Sequence, residues 1–533
     1  MMQASGTIED TQMSAALRSR GVLWLAMLLV PPAGLVLLWL RPGWRIGSIL
    51  GKLGGTLLCA MLTLGYLFLF GMRVELSGYG VPGFFTFQKP EAHFEQLEKN
   101  RAAQKAEEPK SQSVEESKGA TVGSGVAASA SAPATPGADK PARAAFPAPY
   151  WTAFRGAKRD AVYDEMPILT TWPREGLKPL WRQPIGGGYA SFSVADGRAF
   201  TIEQRRGNEV VAAYDIETGR ELWTVSWPAH FQEPMGGPGP RATPTWDGGR
   251  VYALGATGEF RCIEAATGKV LWSKNILSEN GAANLNWAMA ASPLVVDDKV
   301  IVQPGGRSGK SVVAYSKLTG QVIWSALDDT QAYTSPMVVH LAGRRQILTV
   351  SGERAMGLAA EDGALLWDYP WTTQYGVNAA QPIVVDQTHV FLSAGYGHGS
   401  ELLEVTPSGS AFQVRTVWQN VYMKNRFNGS VLHQGYIYGI DEGILTCLDA
   451  RTGERKWKGG RYGFGQVLLA SGHVIVLTET GDLVLVRATP QRHEELASFS
   501  ALEGKTWNVP ALAGGLLLVR NTTEMAAFRI GAP

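Results

Sequence analysis

The sequence has few cysteines, almost no net charge and no basic tail, and each shortage closes off a class of protein. Three cysteines in 533 residues cannot build a disulfide framework. No two are adjacent and none begins a C-x-x-C-H haem site. Cys59 lies inside an apolar run, not just after one, where a lipid-anchor cysteine would stand. Lys and Arg number 49 against 47 for Asp and Glu, a formal net charge of +2, so the balance implies no nucleic-acid partner. Helical periodicity is also scarce. Beyond residue 150 the apolar residues alternate or come in short runs broken by Gly, Asp and Pro, which is a strand pattern.

What fills that region is a repeat. AYDIETGRELW (Ala213 to Trp223) returns as CIEAATGKVLW (Cys262 to Trp272), AYSKLTGQVIW (Ala314 to Trp324), GLAAEDGALLW (Gly357 to Trp367) and CLDARTGERKW (Cys447 to Trp457). Looser copies run from EVTPSG to Trp418 and from LVRATP to Phe499. Gly219, Gly268, Gly320, Gly363 and Gly453 stand four before Trp223, Trp272, Trp324, Trp367 and Trp457. Glycine at that place predicts a tight turn with φ > 0, and the Trp predicts a strand that sets one large apolar face against its neighbour. Eight further hairpin signals, such as ATPTWDGGRVYALG and SPLVVDDKVIVQPG, lie between or beside the copies, so each period predicts four short antiparallel strands. The fold class is therefore all-β: an eight-bladed β-propeller of four-stranded antiparallel blades, whose ring leaves few exposed edges. On this reading each blade opens at a Trp, beginning with Trp181, and the last opens at about Phe499. That last blade would supply all four of its own strands.

The AxDxxTGxxxW motif resembles that of the pyrroloquinoline-quinone-like (PQQ-like) repeat propellers, over about residues 150–533. That family includes BamB-type outer-membrane assembly scaffolds and quinoprotein alcohol dehydrogenases, so the resemblance implies a fold and leaves the function divided. The enzymes of the family use an adjacent cysteine pair, and carboxylates that hold Ca²⁺ and act as base. This chain has no such pair, and Asp328, Asp329 and Glu233 are the acids that could approach the axis. The expectation is a non-catalytic binding scaffold in envelope or outer-membrane protein biogenesis, with protein partners, no catalytic residue, no metal and no cofactor. The alternatives are a PQQ-dependent dehydrogenase, which would carry PQQ with Ca²⁺, and a small-molecule sensor.

Ahead of the propeller the chain divides into a tail (1–21), a hydrophobic region (22–72), a juxtamembrane segment (73–108) and a linker (109–149). Val22 to Leu40 and Leu53 to Met72 are apolar runs long enough for two transmembrane helices, and Arg41, Arg45 and Lys52 between them predict a cytoplasmic loop. The tail and the propeller would then both lie in the periplasm, anchored in the inner membrane. Pro90 to Glu108 reads as a short charged helix, and the Ala/Ser/Gly/Pro linker as disordered. Tyr150 to Leu180 resembles the FRG-type lead-in of the family and is expected to pack on a blade edge or base.

The candidate site is a set of polar and aromatic residues leading into the central hairpins, where propeller chains pass near the axis. These are Ser191, Arg241, Asn286, Trp287, Tyr333, Asn378, Lys424, Asn425, Tyr462, Gln466, Lys505 and Asn508. Read functionally, they form an axial ring with three cations, Arg241, Lys424 and Lys505, suited to an anionic ligand or an acidic peptide end. Read structurally, they cap strands around channel water. PGGRSGKS (Pro304 to Ser311) mimics a phosphate loop, but Pro304 replaces its first glycine and a strand follows it; a hairpin turn is expected there. Cys262 and Cys447 occupy the same motif position in opposite blades and are expected to be packing residues.

Overall fold

The computed structural model describes residues 20–40, 46–87, 90–106, 151–409 and 411–532. It divides into two compact units, Met1–Leu76 with Val81–His93, and Ser77–Gly80 with Phe94–Pro533. Most of the tail, the 41–45 part of the basic loop and the 109–149 linker lie outside the described residues.

In the first unit the apolar runs make three helices, α1 (Arg20–Leu29), α2 (Pro31–Leu40) and α3 (Ile46–Leu69). The first run is not one span. Pro31 and Pro32 cannot donate backbone bonds to the preceding turn, and the run breaks at Val30 into two ten-residue helices. At ~1.5 Å per residue each covers roughly half of a ~30 Å hydrocarbon core. Only Ile49–Leu69, among the described residues, is long and apolar enough to cross a membrane, so one candidate span is found where two were expected. Leu23, Met27, Leu38 and Cys59 bury one another between the helices. Gly55 admits Leu38 there, since a Cβ would stand 2.8 Å from its methyl. After α3 come the paired strands β1 (Arg73–Leu76) and β2 (Pro82–Thr86), then α4 (Pro90–Ala106), whose residues from Phe94 onward group with the propeller.

Residues 193–529, joined by the strand Trp181–Pro184, form eight antiparallel sheets in chain order, and this is the eight-bladed propeller. Blades 1 to 8 occupy 193–228, 245–275, 294–326, 337–370, 383–420, 430–461, 466–500 and 511–529. Two features of the strand assignment differ from the sequence reading. The Trp-bearing strand is the outer, fourth strand of its own blade and does not open the next one: Trp223 pairs with Ala213 and Trp272 with Cys262. The last blade has only three strands of its own. Its fourth is β4 (Trp181–Pro184), with Gln183 opposite Met525, so the N-terminal end of the ring closes the C-terminal blade. An unpaired Glu524–Arg529 strand would otherwise be an open edge.

The repeat glycine has a second role besides its positive φ. Trp181, Trp223, Trp272, Trp324 and Trp418 each lie against the turn glycine of the following blade, where a Cβ on Gly219, Gly268, Gly320, Gly363 or Gly453 would stand 2.6–2.9 Å from the indole. Each indole N–H donates to a carbonyl in that same turn, for example Trp181 to Ile216 at 2.9 Å and Trp223 to Ala265 at 3.0 Å. The motif is therefore a latch between blades. Trp367 is the exception. Blade 5 has the long turn of EVTPSG in place of the glycine, and Trp367 bonds Gln346 of its own blade at 2.6 Å.

The lead-in from Trp151 runs across the inner strands and plugs the axis. Trp151 O accepts from Val194 of blade 1, Thr152 O from Trp246 of blade 2, and Ala161 O from Leu469 of blade 7. Arg159, 2% exposed, donates to the carbonyls of Ser292 at 3.0 Å and Pro336 at 2.8 Å, and also to Pro293 O. Arg155 reaches Ser430 O of blade 6 at 2.6 Å. The short strand β3 (Val162–Tyr163) adds in parallel to the inner strand of blade 7. Arg155, Arg159 and Ala161 all take left-handed backbone, φ 61°, 60° and 58°, a strain offset by these bonds. The lead-in was expected on a blade edge or base; it packs along the inner strands of the blades.

Candidate functional site

The segments entering the blades meet at one mouth of the ring, next to the plug, whose Arg159 bonds Ser292 O. Their small polar residues form a belt of blade-to-blade bonds. Ser191 N donates to Thr243 Oγ1, Thr243 N to Ser292 Oγ and Ser292 N to Ser335 Oγ, each at 2.9 Å. Asn508 bonds the carbonyls of Gly188 and Ala190, Gln466 those of Phe427 and Trp507, and Asn378 those of Ser351 and Trp371. Asn425 bonds Ile440 O and accepts from Ser430. These four residues, with Ser191, hold the inner wall together.

The three cations do not form a ring of open charge. Arg241 pairs with Glu233 at 3.1 Å, bonds Gly237 O, and stacks on Phe231 with its guanidinium 4.7 Å from the ring centre; burial pushes its pKa down. Lys424 pairs with Asp441 at 3.1 Å, and Lys458 holds the same carboxylate. Lys505 bonds Met235 O at 3.0 Å and lies 4.5 Å over Trp507. Arg241 and Lys505 thus meet at the 231–241 loop, whereas Lys424 is engaged within blades 5 and 6. Tyr462 turns to His493 and Glu495 on the outer side of blade 7, at 2.9 and 2.8 Å. Asn286 is exposed. Tyr333 bonds Asn378 O through its backbone N–H, and its ring lies 6.0 Å from Trp287; burial raises its phenol to about 12.

What the mouth presents is an aromatic collar interleaved with arginine. Phe231 and Tyr189 cover Arg241. Tyr189 lies 5.4 Å from Trp507, Trp507 lies 4.5 Å from Phe427, and Phe427 lies 5.7 Å from Phe464. Arg426 bridges Phe464 and Tyr396, at 4.8 and 5.1 Å, and Tyr396 reaches Tyr375 at 5.5 Å. Arg426, Tyr189, Phe427, Phe464 and Trp507 were not singled out from the sequence, although all five sit in the very segments that were. The available signal was one aromatic at the same step before an inner strand in blade after blade.

The carboxylates here are committed. Glu233 serves Arg241, Asp441 two lysines, and Glu479 accepts from Phe464 N and Trp507 Nε1 at 3.1 and 3.0 Å. Asp329 is bound by Arg354 at 2.7 Å, and Asp328 accepts from Gly309 N. Cys262 and Cys447 are each buried in their own blade. Among the described residues no three His, Cys, Asp or Glu side chains gather as metal ligands do. These side chains do not fit a calcium-held quinone. Pro304 to Ser311 connects two strands, as expected of a hairpin.

Fold and motif together define a repeat β-propeller similar to the PQQ-like family. A family model described as outer membrane protein assembly factor BamB matches residues 207–459. The outer membrane protein assembly factor BamB of Yersinia pestis is 24% identical over 298 residues, 52% of this chain and 70% of that protein. The BamB of Burkholderia pseudomallei is 27% identical over 35% of this chain, and the match spans 45% of that protein. Among solved structures, a quinohemoprotein alcohol dehydrogenase from Comamonas testosteroni aligns over 72% of this chain and 81% of its own, with a TM-score of 0.50 and 14% identity; that likeness shows the fold alone.

Proposed function

We propose that this chain is a membrane-anchored, extracytoplasmic binding scaffold, similar in role to the outer-membrane assembly propellers it resembles, without catalysis of its own. The observation that carries the reading is the collar: aromatic rings from five or more blades converge on one mouth, where Arg241 is paired with Glu233 and Lys505 is held by the Met235 carbonyl and the Trp507 ring. Such a surface recognises peptide segments through apolar and main-chain contacts. One crossing by Ile49–Leu69 supports the anchor. Arg18, Arg20, Arg41, Arg45 and Lys52 all precede or open that span, which favours a cytoplasmic N-terminal side and a periplasmic propeller.

A photo-crosslinking residue at Tyr375, 63% exposed beside the mouth, should capture an outer-membrane protein or its assembly machinery in intact cells. The same residue at Val322, 50% exposed on an outer strand, should not. Capture from Val322 alone, or alcohol oxidation by the purified chain on addition of PQQ and Ca²⁺, would overturn the reading.

A further inference from the structure

The turn Ser77–Gly80 belongs to the propeller's compact unit and seats against the collar, with Ser77 and Gly78 buried and Tyr79 52% exposed. Gly78 N donates to Glu479 Oε1 at 2.6 Å, and Gly78 O accepts from Arg426 Nη1 at 2.7 Å. Tyr79 packs edge-on against Phe464 at 4.7 Å, and its hydroxyl donates to Glu442 O at 3.0 Å. The slot thus offers an acceptor for a peptide N–H, a donor for a peptide carbonyl, and an aromatic wall. Glycine is required before the aromatic residue, because a Cβ on Gly78 would collide with the Phe464 ring. On the propeller side, Gly443 leaves room for the Tyr79 hydroxyl. The recognised features are two main-chain groups and one ring, and any tight glycine–aromatic turn carries them.

We infer that this slot is a peptide-binding site for glycine–tyrosine or glycine–phenylalanine turns, occupied in cis by Ser77–Gly80, and that a partner protein presenting such a turn binds by displacing it. The inference rests on the scaffold reading and names the chemistry of its partner. A cis occupant lowers the apparent affinity for a trans one by the fraction of chains whose slot is open. The tether of Tyr79 to the same chain therefore sets the threshold for partner binding.

The test uses the full chain in detergent and a fluorescent peptide of residues 75–82, ELSGYGVP, read by anisotropy. Gly78→Ala in the chain ejects the turn without altering a blade, and should raise affinity for the peptide about tenfold or more. The peptide with alanine in place of tyrosine should not bind. Phe464→Leu or Arg426→Met, added to Gly78→Ala, should abolish binding. Both are made because Phe464 is buried, and the variant that keeps the parental melting transition decides. Absence of binding to the Gly78→Ala chain, or binding that survives Arg426→Met in a folded chain, would sink the inference. If crosslinking from Tyr375 persists when peptide binding is absent, only the slot assignment falls; if both are lost, the scaffold reading falls with it.

Discussion

Glu203 and Glu209 lie on adjacent strands of blade 1, both fully buried, yet their surroundings drive them in opposite directions. Burial alone would raise Glu203, but Arg205, Arg520 and Arg101 outweigh it and hold the carboxyl at about 2. Among the described residues Glu209 has only Trp227 Nε1 and Ala256 N as donors, at 3.0 and 2.8 Å; burial dominates and pushes it up to about 6. A carboxyl whose folded pKa is raised binds its proton more readily in the folded chain, so its contribution to stability falls as pH rises from about 4.5 to 6. Wild type should therefore gain on the order of 2 kcal/mol relative to Glu209→Gln when acidified across that window, read from denaturant midpoints of the two proteins at each pH. Parallel curves would show that Glu209 does not titrate there. Arg159 gives a second prediction at this scale. Replacing it by Met leaves the carbonyls of Ser292, Pro293 and Pro336 without their shared donor, at a cost of about 3–5 kcal/mol. An unshifted unfolding midpoint would mean the plug is dispensable.

The latch between blades can be tested against a plain turn. Gly320 and Gly343 both have positive φ, 71° and 76°, but only Gly320 lies under an indole, Trp272 at 2.9 Å, while Gly343 has open space. Gly343→Ala should cost about 1 kcal/mol, the backbone strain alone. Gly320→Ala adds the displacement of Trp272 and should cost about 2–4 kcal/mol. Thermal unfolding of the two variants separates the contributions, and equal shifts would reduce the repeat glycine to its turn. The helical region follows the same logic of local chemistry. A proline pair in the middle of an apolar run ended one helix and began another, so the 19 apolar residues Val22 to Leu40 do not form one continuous helix.

For the whole molecule, one crossing and two make different maps. With Ile49–Leu69 as the single span, a cysteine placed near Thr7 should be labelled only after the inner membrane is breached, and one placed after Ala532 should be labelled from the periplasm. Periplasmic labelling of both would restore two spans. Closure is a property of the same scale. β4 joins the last blade and Arg520 bonds Thr201 Oγ1 and Gly186 O, at 2.9 and 2.8 Å, so both ends of the ring are locked at one seam. The eight blades were legible in the sequence because each repeats the same strand and turn chemistry locally. The seam was not, since nothing in Trp181 to Pro184 distinguishes a first strand from an eighth blade's fourth.

Composition and period alone determined the all-β class, the blade number, the turn glycines and the hydrophobic N-terminal region, because strand alternation and φ > 0 turns are decided within a few residues. Only the tertiary structure decided which blade owns each Trp strand, where the lead-in goes, and what the mouth is made of. The segments containing Arg241, Lys424 and Lys505 read as a cationic ring, but charge in a fold belongs to pairs. Glu233, Asp441 and the Met235 carbonyl come from positions that no spacing rule brings beside them. The contacts among Tyr189, Trp507, Phe427 and Phe464 were equally out of reach, because ring closure makes them across hundreds of residues.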